Sequence, residues 1–202
     1  MLVKMKDNIK VVSYVGQKVA DLIPQIAELR IEVFREYPFL YIGDYDYETK
    51  YLKKFLTMKD AIVAACFDKD ILVGISTGYP FIYESETLKQ LFLSHGRNPS
   101  DYFCFGESVL RKSYRGLGIG KKFFDEREAH VQRLNKYKYI CFYTSMRPLD
   151  DPKRPPDYRP LAPFWKGRGF VEHRELIGTV SYQEIGEQEE TPKKMVFWIK
   201  EL

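Results

Sequence analysis

The sequence predicts an α/β protein of the α+β kind, in which one mixed, mostly antiparallel central sheet of about six to seven strands is flanked by helices. Three observations lead to this prediction. Short apolar runs alternate with segments of helical periodicity along the 202 residues. Two of these runs flank a short polar turn, as in an antiparallel hairpin. A glycine-rich stretch joins a predicted strand directly to a predicted helix.

The elements of the first half follow from these periodicities. In chain order they are a strand at 9–14, a helix at 17–36, a loop at 37–48, a helix at about 46–58, strands at 61–67 and 71–79 and a short helix at 84–94. Pro24 falls near the start of the first helix, where proline is tolerated. The turn sequence DKD separates two adjacent strands and predicts that they pair with each other.

The second half continues the alternation. It is predicted to contain a strand at 102–110, a helix ending at about 135, a strand at 138–145, a proline-rich loop at 146–160, a helix at about 161–167 and strands at 170–182 and 194–201. The charged segment 186–194 is expected to be a solvated hairpin turn. Together the elements predict a single domain covering residues 1–202.

Composition and cysteine spacing exclude several classes of protein. The net charge of +4 is too small for a dedicated nucleic-acid binder, and no apolar run reaches the roughly 18–20 residues that span a bilayer. The first ten residues lack the apolar core of a secretory signal. Cys66, Cys104 and Cys141 are too dispersed for a disulfide framework or a metal site. We therefore expect a cytoplasmic protein with three buried thiols, no metal, no membrane or nucleic-acid partner, and an apolar last strand that offers an edge for a homodimer.

The segment SYRGLGIGKKFF (113–124) is the most informative about function. Its glycines stand between the strand that ends near Leu110 and the following helix. The first N–H groups of a helix have no partner within it, and the helix dipole adds positive charge at this end. Glycine lets a ligand approach the backbone, and Arg115, Lys121 and Lys122 add charge. The segment is predicted to bind an anion, most naturally phosphate, and a simple tight turn is the alternative.

The spacing of these residues excludes two common phosphate-binding motifs. A dinucleotide-binding GxGxxG motif would need glycine where this chain has Lys121. A P-loop of the form GxxxxGK[ST] would need glycine at Arg115 and a hydroxyl residue at Lys122. The pattern that remains is RxxGxG, formed by Arg115, Gly118 and Gly120 after a strand and before a helix.

This motif, in its strand–helix context, resembles the coenzyme A loop of the GCN5-related N-acetyltransferases (GNAT). The strand–turn–strand at 61–79, the segment YFCFGESVLRKSYRG and the element FWKGRGF (164–170) are similar to further parts of that family in the same order, so the resemblance covers nearly the whole chain. It implies an acetyl-CoA-dependent N-acetyltransferase of that fold. The coenzyme-binding residues that it implies are Val109, Leu110, Arg115, Gly116, Leu117, Gly118, Ile119, Gly120, Lys121 and Trp165.

In that family the acceptor amine attacks the thioester directly, which implies a base and an oxyanion donor. Glu107 is the candidate base, because a carboxylate on an otherwise apolar strand is either perturbed by burial or faces a cleft. Its alternative role is to pair with an arginine of a neighbouring element, such as Arg147. The family often has its base nearer the start of this strand, where this chain has Cys104. The expected oxyanion donor is a backbone N–H around Leu110.

The resemblance also implies a proton donor for the departing thiolate. Many family members have a tyrosine four residues before the glycine of the GF element, but this chain has Trp165 there. Tyr158 is the candidate acid, with Tyr143 or water as alternatives. Trp165 is expected to pack against the coenzyme or the core.

The acceptor site is predicted from residues 37–48, which form one wall of the acceptor groove in the family. Tyr37, Tyr41 and Tyr45 are the candidate substrate-binding residues, since carboxylates and aromatic faces suit a cationic amine. Packing of helices against the sheet is the alternative role for these tyrosines. The basic loop at 146–160 either covers the acceptor or the coenzyme or is a stiff surface loop.

Three functions remain compatible with the sequence. The first is acetyl transfer from acetyl-CoA to a primary amine of a small molecule or peptide. The second is a non-catalytic module that binds and senses acyl-CoA, which the missing tyrosine motivates. The third is a nucleotide-binding protein of another type, since the glycine loop predicts recognition of phosphate and not of acetyl.

Overall fold

The computed structural model describes residues 8–202, and its elements follow the predicted order. The strands are β1 (Ile9–Tyr14), β2 (Ile62–Asp68), β3 (Ile71–Pro80), β4 (Tyr102–Leu110), β5 (Tyr139–Ser145), β6 (Val171–Tyr182) and β7 (Thr191–Glu201). The α-helices are α1 (Ile23–Phe34), α2 (Tyr45–Lys53), α3 (Glu86–Ser94), α4 (Ile119–Leu134) and α5 (Ala162–Gly167).

The starts of α1, α2 and α3 differ from the predicted boundaries, and α3 begins two residues later than predicted, at Glu86. Residues Gly16–Leu22 form a 3-10 helix, and α1 begins only after it, with Pro24 in its first turn as predicted. Asp44 caps α2 by accepting a hydrogen bond of 2.7 Å from the backbone N–H of Tyr47. This cap starts α2 one residue before the predicted position, inside the tyrosine-rich segment.

The strands form one mixed sheet, as the sequence predicted, and their order is β1–β2–β3–β4–β5–β7–β6. Strand β7 lies between β5 and β6, so the expectation that this last strand offers an edge for a homodimer was wrong. Strands β4 and β5 pair in parallel at their first three residues, whereas β1–β2, β2–β3, β5–β7 and β6–β7 pair antiparallel. Strand β7 begins three residues earlier than predicted, because Thr191 pairs with Tyr182 of β6. The hairpin turn between them is correspondingly shorter.

The described chain forms two compact units, and β4 contributes to both. The first unit consists of the residues up to Val33, Gly43–Pro80 and Phe105–Lys136. The second unit consists of Phe34–Ile42, Phe81–Cys104 and Tyr137–Leu202. Whether the chain also behaves as a single domain in solution stays a prediction.

The core of the first unit anchors the glycine-rich segment. Leu110, Leu117, Ile119 and Phe123 pack in one apolar cluster with side chains of β1, β2 and β3. The three cysteines are buried and form no disulfide, as predicted. None of the helices within residues 8–202 is long and apolar enough to cross a membrane.

Candidate functional site

The glycines before α4 differ in what the fold demands of them. Gly116 and Gly118 have φ angles of 79° and 82°, a conformation that favours glycine. Gly120 lies inside the first turn of α4 and does not have a positive φ. A Cβ atom at any of the three would meet no atom of residues 8–202 within 4 Å. The backbone conformation therefore accounts for glycine at positions 116 and 118 but does not require it at position 120, where approach of a ligand stays a prediction.

The surroundings of this backbone are positively charged. The first turn of α4 contains no acidic residue, and no side chain of the described residues caps it. Lys121 and Lys122 are exposed in this turn. Arg115 is exposed as well, and its Nε donates to the carbonyl oxygen of Leu110 at 3.0 Å. The segment therefore presents backbone N–H groups, the helix dipole and three cations at one helix end, which fits a pyrophosphate.

The remaining residues of the predicted coenzyme loop hold this segment in place. Leu110, Leu117 and Ile119 face the core, and Val109 is fully buried, so its backbone is the part that a ligand could contact. The Tyr114 hydroxyl donates to Asp68 Oδ2 at 2.9 Å, and this hydrogen bond raises the pKa of Tyr114. The structure thus places these residues in one segment between β4 and α4, and their contact with a coenzyme stays a prediction.

Glu107, the candidate base, is part of a buried ion-pair cluster. Arg30 contacts Glu107 Oε1 through Nη1 and Glu48 Oε2 through Nε. The Arg30 Cζ atom also lies 4.6 Å from the centre of the Tyr51 ring. Burial opposes the charge of Arg30, but the negative charges of Glu107 and Glu48 outweigh it and raise the pKa of Arg30. We call Arg30, Glu48 and Glu107 the triad.

Glu107 pairs with an arginine of a neighbouring element, as its alternative role predicted, but the arginine named as an example was wrong. The partner is Arg30 of α1 and not Arg147, whose Nη2 binds Glu184 Oε2 at 2.6 Å. A second carboxylate, that of Glu84, lies 3.7 Å from the Sγ atom of Cys104, near the start of β4. This is the part of the strand where the resembled family often has its base.

The backbone of Glu107 is bound by side chains of β3. Its N–H donates to Thr77 Oγ1 at 3.1 Å, and its carbonyl oxygen accepts from Ser76 Oγ at 3.0 Å. A Cβ atom at Gly106 would lie 2.4 Å from Thr77 Oγ1, so this close approach requires glycine. Hydroxyl groups of β3 therefore fix both backbone groups of the candidate base.

A buried arginine supports the same stretch of β4. Arg127 of α4 donates to Thr77 O and Ser108 Oγ at 3.1 Å each, and Ser108 Oγ lies 2.7 Å from Ser76 Oγ. Its Cζ atom lies 4.1 Å from the centre of the Phe105 ring. A hydrogen-bonded chain thus runs from Arg127 through two serines to the carbonyl of Glu107.

The position of the missing tyrosine lies in an aromatic cluster of the second unit. The Trp165 ring packs edge-on against Phe142 and Trp198, with ring centres 5.0 and 5.2 Å apart. Gly169 of the GF element has a φ of 86°, and Phe170 is buried against Phe142. Packing in the core is therefore one role of Trp165, and its contact with the coenzyme stays a prediction.

Tyr158, the candidate acid, lies beside Tyr37, one of the candidate substrate residues. Their rings pack edge-on with centres 4.7 Å apart. Burial raises the pKa of the Tyr158 hydroxyl, so it holds its proton at neutral pH. Both side chains line a cavity of about 150 Å³ that is formed by Tyr37, Pro38, Ser145, Arg147, Pro148, Leu149, Arg154, Tyr158 and Pro160.

The other tyrosines of the predicted acceptor segment have different surroundings. Tyr41 forms an isolated β-bridge with Glu184 and packs its ring 5.9 Å from that of Tyr182. Tyr45 is 43% exposed at the start of α2. Packing thus accounts for Tyr41, whereas substrate contact of Tyr37, Tyr41 and Tyr45 stays a prediction. Tyr143, an alternative acid, packs against Phe197 at 5.3 Å.

Glu184 fastens the proline-rich loop to the second unit. This carboxylate is 2% exposed and binds Arg147 and Lys153 of the loop at 2.6 and 2.5 Å. The Nε atom of Arg147 also donates to the carbonyl oxygen of Pro38 at 2.7 Å. Two of the basic side chains of the loop therefore have protein partners. Burial opposes the charge of Glu184, but hydrogen bonds from Arg147 and Lys153 outweigh it and lower its pKa.

Replacing Glu184 with glutamine is expected to destabilise the protein by about 2 kcal/mol at pH 7, because Arg147 and Lys153 lose their counter-charge. The pKa of Glu184 is lower in the folded protein than in the unfolded chain, where a glutamate carboxyl has a pKa of about 4.3. The stabilisation is therefore present above about pH 4.3 and is lost as the pH falls through the lower pKa of the folded state. Urea unfolding of wild type and of Glu184→Gln, at pH 7 and at acid pH, measures this stabilisation as a difference in the free energy of unfolding. Glu189→Gln removes an exposed charge from the same turn and is the control. If the free energies of unfolding of wild type and Glu184→Gln differ as much at acid pH as at pH 7, the stabilisation by Glu184 is not ionic.

The sequence analysis did not predict that three charged residues of the first unit are buried around β4. Arg30, Glu48 and Arg127 are buried, although each type usually lies at the surface. A signal was present for each. Glu48 shares the helical stripe of Leu52 and Phe55, and Arg30 and Arg127 lie one turn after buried apolar residues of their helices. A charged residue within an apolar stripe indicates a buried side chain with polar partners, which are opposite charges for Arg30 and Glu48 and carbonyl and hydroxyl oxygens for Arg127.

The comparisons with known proteins support the fold. The sequence matches no protein-family model and no curated protein sequence. The structure is similar to the GNAT-family acetyltransferase from Streptococcus pneumoniae, with a TM-score of 0.58, 14% identity and coverage of 96% of this chain and 99% of that chain. It is similar to the ribosomal-protein-alanine N-acetyltransferase from Brucella melitensis, with a TM-score of 0.59, 14% identity and coverage of 95% and 99%.

A third similar structure contains a ligand. This is yncA, a candidate acetyltransferase from Salmonella typhimurium that was solved with its cofactor acetyl-CoA, with a TM-score of 0.60, 8% identity and coverage of 97% of this chain and 95% of that chain. The identities are low, so the likeness concerns the fold. The chain has the GNAT fold over nearly its whole length, as the sequence predicted.

Proposed function

We propose that this protein is an N-acetyltransferase that moves an acetyl group from acetyl-CoA to a primary amine of a small molecule or peptide. The observation that carries the proposal is the exposed glycine backbone at the positive end of α4, in a chain with the GNAT fold. The acetyl-CoA in yncA supports the choice of the same co-substrate here.

The coenzyme half of the proposal uses the residues before and within the first turn of α4. The backbone N–H groups from Gly118 to Lys121 would bind the pyrophosphate, and Arg115 and Lys121 would supply opposite charge. Position 120 leaves room for this approach, since a Cβ there would meet open space. The residues present therefore fit the pyrophosphate of acetyl-CoA.

In the proposed reaction the amine nitrogen attacks the thioester carbonyl, a C–N bond forms and the C–S bond breaks. Glu107 takes the proton that the amine loses, and a backbone N–H near the end of β4 stabilises the oxyanion. Tyr158 or water protonates the departing thiolate. Positioning of both substrates contributes several kcal/mol, roughly 7–11 in well-oriented systems, and the base contributes about 100- to 10,000-fold in rate.

The alternative function is a non-catalytic module that binds acyl-CoA for sensing. Trp165 in place of a tyrosine and the pairing of Glu107 with Arg30 favour it, because neither arrangement requires turnover. A nucleotide-binding protein of another type is the third possibility, since the loop recognises phosphate.

One titration followed by one assay separates these functions. Calorimetric titration with acetyl-CoA, alone and in the presence of ATP, is expected to show micromolar binding that ATP does not displace. Release of free thiol from acetyl-CoA is then measured with a broad panel of primary amines. Tight binding without amine-dependent thiol release would support the sensing module, and absence of binding by the folded protein would overturn both acyl-CoA functions.

A further inference from the structure

The cavity of about 150 Å³ beside Tyr37 and Tyr158 belongs entirely to the second unit. Its lining contains two positive side chains, Arg147 and Arg154, and no carboxylate of the described residues. Tyrosine rings, prolines and Leu149 supply most of the remaining wall. An apolar cavity with a few convergent polar groups is the usual form of a ligand site. The charge of the lining indicates that the ligand is an anion.

The charge of Arg147 is already compensated by the protein. Its Nη2 atom lies 2.6 Å from Glu184 Oε2, and its Nη1 atom lies 3.6 Å from Asp151 Oδ2. Its Nε and Nη2 atoms also donate to the carbonyl oxygens of Pro38 and Phe39. Arg147 therefore forms part of the wall and does not supply the charge that a ligand would neutralise.

Arg154 is held at the cavity but has no opposite charge beside it. This half-buried side chain places its Cζ atom 5.4 Å from the centre of the Tyr158 ring, and its Nη1 atom donates to the carbonyl oxygen of Leu149 at 3.4 Å. Within residues 8–202 it makes no ion pair, and its Nε and Nη2 atoms have no hydrogen-bond partner. These two atoms form the edge of a guanidinium that binds both oxygens of a carboxylate side by side.

The two tyrosine hydroxyls add neutral donors to the same cavity. In the part of the chain that the structure describes, neither the Tyr37 nor the Tyr158 hydroxyl takes part in a hydrogen bond. Burial raises the pKa of both hydroxyls, so each keeps its proton at neutral pH. A protonated hydroxyl donates one hydrogen bond, so an anion in the cavity has two such donors besides Arg154.

We propose that this cavity binds a small organic acid by its carboxylate, with Arg154 donating to both oxygens and the hydroxyls of Tyr37 and Tyr158 donating beside it. One uncompensated cation matches the single charge of a carboxylate better than the charge of about −1.5 to −2 that a phosphate group carries at pH 7. The cavity is smaller than the roughly 300–1,000 Å³ that hold drug-sized ligands, so the acid is small. Tyr158 then has a binding role, and water is the proton donor for the thiolate of the proposed reaction.

The carboxylate can come from two sources. It is either part of the acceptor, which would then be an amino acid or a similar amine that carries an acid group, or it belongs to a separate small acid that regulates the protein. The cavity consists of residues of the second unit alone, so binding of the acid does not depend on acetyl transfer. A binding experiment therefore tests the site, and a kinetic experiment distinguishes the sources.

Binding of an acid and of its neutral isostere tests the site. The probes are propanoate and propanamide, which have nearly the same size and shape and differ in charge. Their dissociation constants are measured by NMR titration of the ¹⁵N-labelled protein at pH 7. The wild type is expected to bind propanoate about 10-fold more tightly than propanamide, because hydrogen bonds to a charged group are stronger than neutral ones. Arg154→Gln is expected to lose this preference, and the same spectra verify that the variant is folded.

Two further variants and one further probe complete the binding experiment. Arg159→Gln removes an exposed positive charge from the same loop, outside the cavity, and is expected to keep the preference for propanoate. Arg154→Lys keeps the charge without the flat guanidinium edge and is expected to bind propanoate less tightly than the wild type and more tightly than Arg154→Gln. The proposal is overturned if the wild type binds both probes equally, if Arg154→Gln keeps the preference, if Arg159→Gln loses as much, or if inorganic phosphate binds more tightly than propanoate.

The thiol-release assay with alanine and alaninamide as acceptors distinguishes the two sources. A lower KM for alanine, competition by propanoate and loss of both effects in Arg154→Gln would assign the carboxylate to the acceptor. A propanoate effect on the rate with alaninamide, without competition against the amine, would assign it to a separate acid. Both results support the site. Absence of thiol release with every amine would count against the proposed acetyl transfer alone, since the NMR titration reports on the cavity without turnover.

Discussion

Replacing Glu107 with glutamine is expected to lower kcat for acetyl transfer about 100- to 10,000-fold, which is the usual contribution of a positioned base. The amide keeps the size of the side chain but cannot take the proton of the amine. The affinity for acetyl-CoA is expected to remain unchanged, because the backbone proposed to bind the pyrophosphate, residues 118–121, lies beyond the end of β4. Steady-state kinetics with the best amine of the panel and calorimetry with acetyl-CoA measure the two effects.

The control for this experiment is Glu86→Gln. Glu86 is an exposed carboxylate of α3, with a side chain that is 81% exposed, and its removal is expected to leave kcat unchanged. Wild-type kcat in Glu107→Gln would show that Glu107 is only the structural partner of Arg30. Glu84, beside Cys104 in the second unit, would then be the next candidate for the base.

Replacing Gly120 with aspartate is expected to weaken acetyl-CoA binding about 100-fold or more, because a carboxylate would occupy the space of the pyrophosphate and repel its charge. The stability of the folded protein is not expected to fall. Gly120 lies within the first turn of α4, where aspartate interacts favourably with the helix dipole by about 0.3–1 kcal/mol and glycine is a poor helix former. A variant that is as stable as the wild type and does not bind the coenzyme would separate the ligand site from the fold.

Two variants complete this experiment. Gly120→Ala adds a methyl group without charge and is expected to give a smaller loss of affinity. Gln132→Glu adds the same charge to an exposed position near the other end of α4 and is expected to bind acetyl-CoA like the wild type. Unchanged binding in Gly120→Asp, measured by calorimetry beside thermal unfolding, would show that the coenzyme does not approach this turn, and the glycines would then serve the backbone alone.

The difference between the three glycines shows why the sequence motif and the structure are both needed. The sequence contains GLGIG but does not distinguish a glycine that adopts a positive φ from one that leaves space for a ligand. The backbone angles assign Gly116 and Gly118 to the first group, and Gly120 has no positive φ, so a role in leaving space for a ligand is the prediction that remains for it. Mutating Gly118 would change the turn and the site together, so Gly120 is the better position for a test of binding.

Local patterns in the sequence were sufficient for the order of the elements and for the glycine-rich segment at the start of α4, whose binding of a coenzyme stays a prediction. The alternation within 61–79, the glycines before α4 and the apolar periodicity of 119–134 are all properties of neighbouring residues, and they determined the strand–helix unit and its charged end. The sequence also indicated Glu107, because a carboxylate interrupts an apolar strand there. Element ends were less certain, since the cap of α2 depends on one side chain, that of Asp44.

Only the tertiary structure decided what surrounds these residues. Arg30, Glu48 and Glu107 come from α1, α2 and β4, and nothing in the local pattern of any one of them specifies the other two. The same is true of Arg147 and Glu184, which are 37 residues apart. Periodicity reports which face of an element is apolar, whereas the choice of a charged partner depends on which elements pack together. The sequence by itself therefore determined the fold and the candidate coenzyme loop, and packing determined which charged side chains surround the candidate base Glu107.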